Sequence, residues 1–386
     1  MLTLWYILLI GFFAAFLFYL VLQKIVPLVI NYFDRARTND RYQLPPEYER
    51  PRYYAVNRNG TINTARKWPG WDGWYFLALP GPKDSPRLIR GSIMTGMYGV
   101  EDIDNYQKLM LNLSTDSVVE CLFMSPQPEI TLLSHEYLPK DLYLQMQTDH
   151  LDVTVTNRGK ITGKWPEYCF ELSNPQDEIT LSLRYRAQDI IWWADLPEVF
   201  SYFTSFGHME GELKRNGELL QNINTMGSFE HGFAKKCFHY DPLFIPVRMW
   251  KRLFPFNVIH YHYDLLFTEE GLHGGLMRSD GFGIKVRNLG GLYLPGGEYV
   301  RIKKIKSIKY EKPRRMEIDC MARLVTFYEQ WQVKAVTEKG MLSYTARQVH
   351  PPAHIAKHMI YYSFLFDGSL GNQRLCGKGY GEYVRM

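Results

Sequence analysis

The chain predicts an all-β fold behind one apolar N-terminal helix, and three observations predict it. Short runs alternate apolar and polar residues with period 2, separated at close intervals by Gly, Pro and Asn turn signals, as antiparallel sheets and barrels require. Aromatic residues make up 15% of the 386 residues, with 27 Tyr, 22 Phe and 9 Trp. That bias favours strands and aromatic-lined cavities over helical bundles. Finally, Leu4 to Leu22 carries no charge.

The apolar stretch comes first. At a rise of about 1.5 Å per residue it is long enough to cross the hydrocarbon core. It lacks a basic region before it and a small-x-small cleavage site after it, so a removable signal peptide is not expected. Because it is apolar all round, a helix packed in a soluble core is not expected either. Residues 1–30 are therefore expected to be a single membrane anchor, and 31–51, with Leu44-Pro45-Pro46, a linker. Lys24, Arg35, Arg37 and Arg41 follow the stretch, which places the globular part in the cytosol by the positive-inside tendency. The sequons at Asn59 and Asn112 keep the lumenal orientation open.

The body of the chain reads as successive strands. Trp74–Leu79 precedes a Pro/Gly-rich loop. Leu151–Val155 alternates and then turns at Asn157-Arg158-Gly159-Lys160, and Ile179, Leu181, Leu183 and Tyr185 alternate with polar partners. Met209–Leu213 and Leu219–Ile223 form a hairpin turned at Asn216-Gly217, two residues that tolerate positive φ. The return strand runs on into Ser228-Phe229-Glu230-His231-Gly232-Phe233. Val258–Phe267, Leu324–Val336 and Tyr361–Phe366 are further strands.

Composition narrows the function. A net charge of +5 is too small to argue for nucleic acid, and no nucleic-acid-binding motif accompanies it. The five cysteines are scattered without a CxxC spacing, so neither a zinc ribbon nor a disulfide framework is indicated. Walker, GxSxG and HExxH patterns do not occur, and no cofactor is expected.

Three stretches, in order, carry a resemblance: Asp72-Gly73-Trp74-Tyr75-Phe76, the Gly-rich hairpin leading to Glu230-His231-Gly232-Phe233, and Gly377-Lys378-Gly379-Tyr380-Gly381-Glu382-Tyr383. Together they resemble the carotenoid 1,2-hydratase/AttH-like superfamily of tandem lipocalin-like proteins. In that superfamily the corresponding motifs are acid-Trp-Trp-Tyr-Phe, acid-His-x-Trp-Gly and Gly-x-Gly-Tyr-x-Glu. Here Glu230 stands for the more usual Asp, Phe233 for Trp, Ala234 for Gly and Gly73 for one Trp. The resemblance implies two consecutive lipocalin-like antiparallel barrels, over 52–206 and 207–386, preceded by the one N-terminal transmembrane helix. It also implies a hydrophobic small molecule, lipid- or isoprenoid-like, bound near the junction by Asp72, Trp74, Tyr75, Phe233, Tyr380 and Glu382.

Glu230 is the acid expected to carry chemistry. In an apolar pocket desolvation would raise its pKa and keep a proton available, with His231 orienting it or relaying protons. Such an acid could protonate an alkene, and Trp and Tyr faces would stabilise the cation. The resemblance implies hydration, cyclisation or isomerisation. The competing expectation is a structural corner in which both residues bond backbone and catalyse nothing.

His260, His262 and Asp264 fall on one face of a strand, with Tyr261 and Tyr263 on the other. Positions i and i+2 lie about 7 Å apart along a strand, so a polar face at the cavity mouth is expected rather than a metal. Pro242–Phe256 mixes bulky apolar groups with Arg248, Lys251 and Arg252, suiting a membrane interface or a loop across a barrel mouth. The basic run Arg301–Arg315 suits either anionic lipid or a lysine-protected edge strand. The expected function is thus binding of a hydrophobic ligand at the membrane, with or without acid catalysis. The alternatives are a non-catalytic carrier or sensor and a membrane-tethered scaffold.

Overall fold

The computed structural model describes residues 71–82, 86–97, 116–124, 132–139, 144–146, 151–176, 178–196, 200–234, 259–281, 284–318, 323–349, 353–356 and 359–385, together with residues 11, 13, 17, 20 and 21. These last five are helical and exposed. Among the described residues no helix is long and apolar enough to cross a membrane. Most of the expected anchor, the linker 31–51, both sequons and Pro242–Phe256 lie outside the described residues.

The remaining regular structure among the described residues is antiparallel strand, joined by turns. The first sheet holds β1 (Trp71–Ala78), β2 (Leu88–Met97), β3 (Asp116–Met124), β4 (Leu132–Pro139), β5 (Leu144–Met146), β6 (Leu151–Val155), β7 (Gly159–Lys164), β8 (Glu167–Asn174), β9 (Ile179–Leu196), β10 (Phe200–Arg215) and β11 (Glu218–Ala234). Its order is β4-β3-β2-β1-β11-β10-β9-β8-β7-β6-β5. The expected alternation is realised: Ile179, Leu181, Leu183 and Tyr185 are buried while the residues between them are exposed. The hairpin between β10 and β11 turns at Asn216 and Gly217, with φ of 53° and 78°, the positive values that match a two-residue turn to strand twist.

The second sheet holds β12 (Ile259–Phe267), β13 (His273–Gly281), β14 (Ile284–Tyr293), β15 (Tyr299–Ile318), β16 (Arg323–Thr337), β17 (Gly340–Gln348), β18 (Ala353–Ala356), β19 (Met359–Leu370) and β20 (Gln373–Arg385). Its order is β17-β16-β15-β14-β13-β12-β20-β19-β18, and β17 also pairs with β19. That extra pairing closes eight strands into a barrel and leaves β18 as a flap.

Two expectations need correction. The first unit is not a closed barrel among the described residues. It is an open sheet curled on itself, so that the Phe170 ring of β8 covers Gly91 of β2. Nor does the division fall at 206/207, which cuts through β10. β10 and β11 complete the first sheet by pairing with β9 and β1, and the chain crosses to the second sheet between Ala234 and Ile259.

The core has three parts. One fills the curl of the first sheet around Phe76, Phe170, Tyr185 and Phe229. A second fills the barrel around Trp331, Phe364 and Tyr362. The third is a seam between the two units, built from Leu77, Leu88, Ile191, Trp193 and Phe206 on one side and Tyr263, Leu265, Met277, Tyr361 and Tyr380 on the other.

The basic run lies on β15. Lys303, Lys304, Lys306, Lys309, Lys312, Arg314 and Arg315 are exposed. β14 pairs with β15 only over Tyr299–Ile302, so the remainder of that side is an edge among the described residues. The Asn288 side chain continues the pairing, bonding both the N–H and the C=O of Ile305. Lysine on an unpaired edge discourages strand addition.

Candidate functional site

Period-2 alternation decides what each strand offers to the seam. On β11, Phe229 and His231 point into the first core, where His231 stacks on Trp74 at 5.0 Å and 11°. Glu230, between them, points out of that core into the seam. Neighbours on a strand face opposite sides, so the structure does not bring Glu230 and His231 together. Trp74 likewise points inward while Tyr75 points to the seam. The Asp72, Phe233 and His260 side chains lie outside the described part.

Glu230 is buried, and two phenols converge on it: Tyr202 of β10 at 2.5 Å from Oε2 and Tyr263 of β12 at 2.8 Å from Oε1. The Tyr263 oxygen also lies 2.7 Å from Thr204 Oγ1, which accepts from Trp193 Nε1 at 2.7 Å. With Tyr263 donating to the carboxylate, Thr204 donates to Tyr263, and a directed chain runs Trp193→Thr204→Tyr263→Glu230. Burial pushes the Glu230 carboxyl above its ordinary value. The Tyr202 and Tyr263 hydrogen bonds and the nearby Arg90 charge work against burial without cancelling it. When Glu230 holds its proton, one of the two contacts runs from its O–H to a phenol oxygen. Burial and the Glu230 charge raise both phenols well above their ordinary range, so they remain protonated.

The facing barrel supplies a second carboxyl. Tyr380 and Glu382 of β20 are both buried, and the Tyr380 hydroxyl donates to Glu382 Oε1 at 2.5 Å. Arg90 of β2 is buried in the same seam, its guanidinium 4.8 Å from the Tyr75 ring centre and 4.5 Å from that of Tyr361. Ser92 and Ser228, also buried, have hydroxyls without a hydrogen-bond partner among the described residues. The seam thus gathers a buried acid with two phenol partners, a second buried carboxyl with a phenol of its own, and aromatic faces around the Arg90 guanidinium.

His262 and Asp264 take the opposite face of β12 and point into the barrel, on one side as the alternation requires. His262 Nε2 lies 3.0 Å from Asp264 Oδ2, off the line of a good hydrogen bond, and Nδ1 meets the Tyr310 hydroxyl at 3.2 Å. Asp264 accepts from Trp331 Nε1 at 2.9 Å and the Tyr344 hydroxyl at 2.7 Å. Among the described residues no three His, Cys, Asp or Glu side chains gather as metal ligands. The expected site residues therefore divide: Glu230, Tyr75, Tyr380 and Glu382 meet in the seam, Trp74 and His231 in the first core, and His262 and Asp264 in the barrel.

Several members were missed. Tyr202, Thr204 and Trp193 sit in aromatic runs where no single residue stands out. Arg90 had a signal, a lone cation in the apolar run Leu88-Ile89-Arg90-Gly91-Ser92-Ile93. A further buried pair, Asp189 Oδ2 and His273 Nε2 at 2.7 Å, joins the two units with Tyr293, whose hydroxyl donates to the Ile190 carbonyl at 2.5 Å.

Solved structures share this architecture. A protein from Nitrosomonas europaea assigned as an AttH is 10% identical, with a TM-score of 0.55 over 85% of this chain and 98% of that one. Kievitone hydratase from Nectria haematococca is 11% identical, with a TM-score of 0.53 over 89% and 98%. CghA is 9% identical, with a TM-score of 0.51 over 90% and 98%. At such identities the likeness is one of fold. No family model and no curated protein matches the chain.

Proposed function

We propose that the protein binds an apolar, lipid- or isoprenoid-like small molecule against the seam and transfers a proton to it from Glu230. The observation that carries this reading is the buried Glu230 carboxyl, pushed upward by desolvation and held by Tyr202 and Tyr263. A buried carboxyl that holds its proton to higher pH than an exposed one is suited to act as a general acid. Protonation of an alkene carbon by Glu230 leaves a carbocation, which the Tyr75, Tyr263 and Tyr361 faces stabilise. In hydration, water adds its oxygen to the cation and its proton passes to Glu382 or returns to Glu230. In cyclisation an internal π bond closes instead and a carbon-bound proton leaves by the same route. The hydratase among the structural neighbours fits the first outcome. The apolar segment Leu4–Leu22 would anchor the chain by a single pass, with the globular part on the cytosolic side, where a membrane-dissolved ligand reaches the seam.

A second reading, a carrier that holds the ligand without converting it, is favoured by the fact that both Glu230 oxygens already have partners inside the protein. One experiment separates them. Full-length protein in maltoside detergent is analysed by native mass spectrometry and lipid extraction, and the ligand recovered is offered to the wild type and to Glu230→Gln. Retained binding with conversion lost supports the acid. Conversion unchanged in the variant removes Glu230 from the mechanism, and binding without conversion by the wild type supports the carrier.

A further inference from the structure

The register of β15 with β16 skips at Lys303 and again at Lys306. Each skip is a bulge that lets two successive residues face the same way. Ile302, Ile305 and Ile308 therefore recur at every third residue on the inner side, packed in or against the barrel core. Lys303, Lys304, Lys306 and Lys309 stand exposed on the outer wall, and Lys334 of β16, opposite Ser307, is exposed beside them. Residues 303–310, together with 330–337 of β16 and 340–348 of β17, include no acid. The acids at the ends of this wall are engaged. Glu311 accepts from the Gln330 and Gln332 amides at 2.9 and 2.8 Å, and Glu298 pairs with Lys339. Val336 and Met341, half-buried, share the outer wall with the lysines, whereas Tyr310, Trp331 and Tyr344 turn inward.

We propose that this outer wall of the barrel docks on an anionic phospholipid surface. The lysines of β15 extend over roughly 20 Å at about 3.3 Å per residue, so they meet several headgroups at once. Each cation held near an anionic surface strengthens attachment about fivefold. Val336 and Met341 give the lysine stems an apolar bed that a headgroup region accommodates. Protection of a free edge accounts for lysine on β15, but not for Lys334, whose strand is paired on both sides. A face charged only for solubility would mix both signs. Nucleic acid fits less well: single strands stack on exposed rings, and the rings of these strands point into the barrel. The outer wall of a closed barrel is also convex and offers a duplex no groove. The proposal stands on this wall alone and needs neither proton transfer by Glu230 nor the apolar segment Leu4–Leu22.

For the test, full-length protein is diluted from maltoside onto preformed vesicles of phosphatidylcholine, or of equimolar phosphatidylcholine and phosphatidylglycerol. Acetic anhydride labelling of each lysine is then read by mass spectrometry. Lys303, Lys304, Lys306, Lys309 and Lys334 should label several-fold more slowly on the anionic vesicles, while Lys160 and Lys164, exposed on β7, keep their rates. Salt at 1 M, where the screening length falls to about 3 Å, should erase the difference. A variant carrying Lys303→Gln, Lys304→Gln, Lys306→Gln and Lys309→Gln should label at Lys334 as fast on anionic vesicles as on neutral ones, and its thermal melt establishes that it folds. Flotation with phosphatidylcholine alone reports the apolar segment and not this wall, so a missing anchor and a missing dock are told apart. Equal labelling on the two kinds of vesicle, or slowed labelling of Lys334 that survives the four substitutions, overturns the proposal. Protection by polyuridine in place of anionic vesicles overturns it in favour of nucleic acid.

Discussion

Glu230 shows how a residue's neighbours, rather than its type, set its chemistry. A carboxyl on an exposed strand face would be ionised at neutral pH. Here Ser228 and Gly232 flank it on the same face, and the second barrel covers that face. Burial raises its value above the ordinary 4.5, so the native state holds a proton over a pH window in which the unfolded chain has lost it. Stability from this group is fully present below 4.5 and is lost as pH rises through the folded-state value. Glu230→Gln should therefore gain stability relative to wild type as pH rises through that window, seen as a widening difference in urea midpoints. Parallel midpoint curves would mean that the acid is not held. Tyr202→Phe and Tyr263→Phe each remove a hydrogen bond that lowers the Glu230 value. Both should push it higher still, read by infrared titration of the protonated carboxyl band.

At the scale of the element, the long strands are where the site is made, and bulges make them. On β9, Ile179, Leu181, Leu183 and Tyr185 point into the first core, yet Asp189, Ile191 and Trp193, of the same parity, point into the seam. The register with β10 pairs Phe206 with Asp189 and Gly207 with Ala187, so Gln188 has no opposite number. One extra residue reverses the faces of everything beyond it. Gly207 sits at this bulge, and a Cβ there would lie 2.1 Å from the Arg186 carbonyl oxygen. Gly207→Val should therefore be far more destabilising than Gly217→Ala in the exposed hairpin turn. At Gly217 only the positive φ is at stake, and the cost is about 1 kcal/mol. Urea unfolding of the two variants compares them, and equal losses would show that the bulge does not need the close approach.

For the whole molecule, the seam decides whether two sheets behave as one. Trp193 is fully buried there, bonded to Thr204 and edge-on to Tyr263 of the facing barrel at 5.2 Å. Asp189 with His273, Tyr293 with Ile190, and Lys378 with the Leu79 carbonyl at 2.5 Å add polar links across it. The two units should accordingly unfold in one transition by calorimetry. Trp193→Ala, at a cost of about 3–5 kcal/mol for an emptied aromatic site, should split it into two. Two transitions in the wild type would show that the seam is too weak to couple them.

The amino-acid sequence by itself determined the class of fold, the hairpin at Asn216-Gly217 and the opposite faces of β12, because these depend on period-2 alternation and on turn residues that are local. It also marked out Glu230, Tyr380 and Glu382. Tertiary structure decided what those residues meet. The pairing of Glu230 with Tyr202 and Tyr263 rather than His231 follows from strand geometry combined with the covering barrel. Arg90, Trp193 and the rings packed around Trp331 meet partners from strands far apart in the chain. The closure of the barrel through β17 and β19, the open curl of the first sheet and the bulge at Gln188 are long-range pairings, and no local pattern encodes which distant edge a strand will choose.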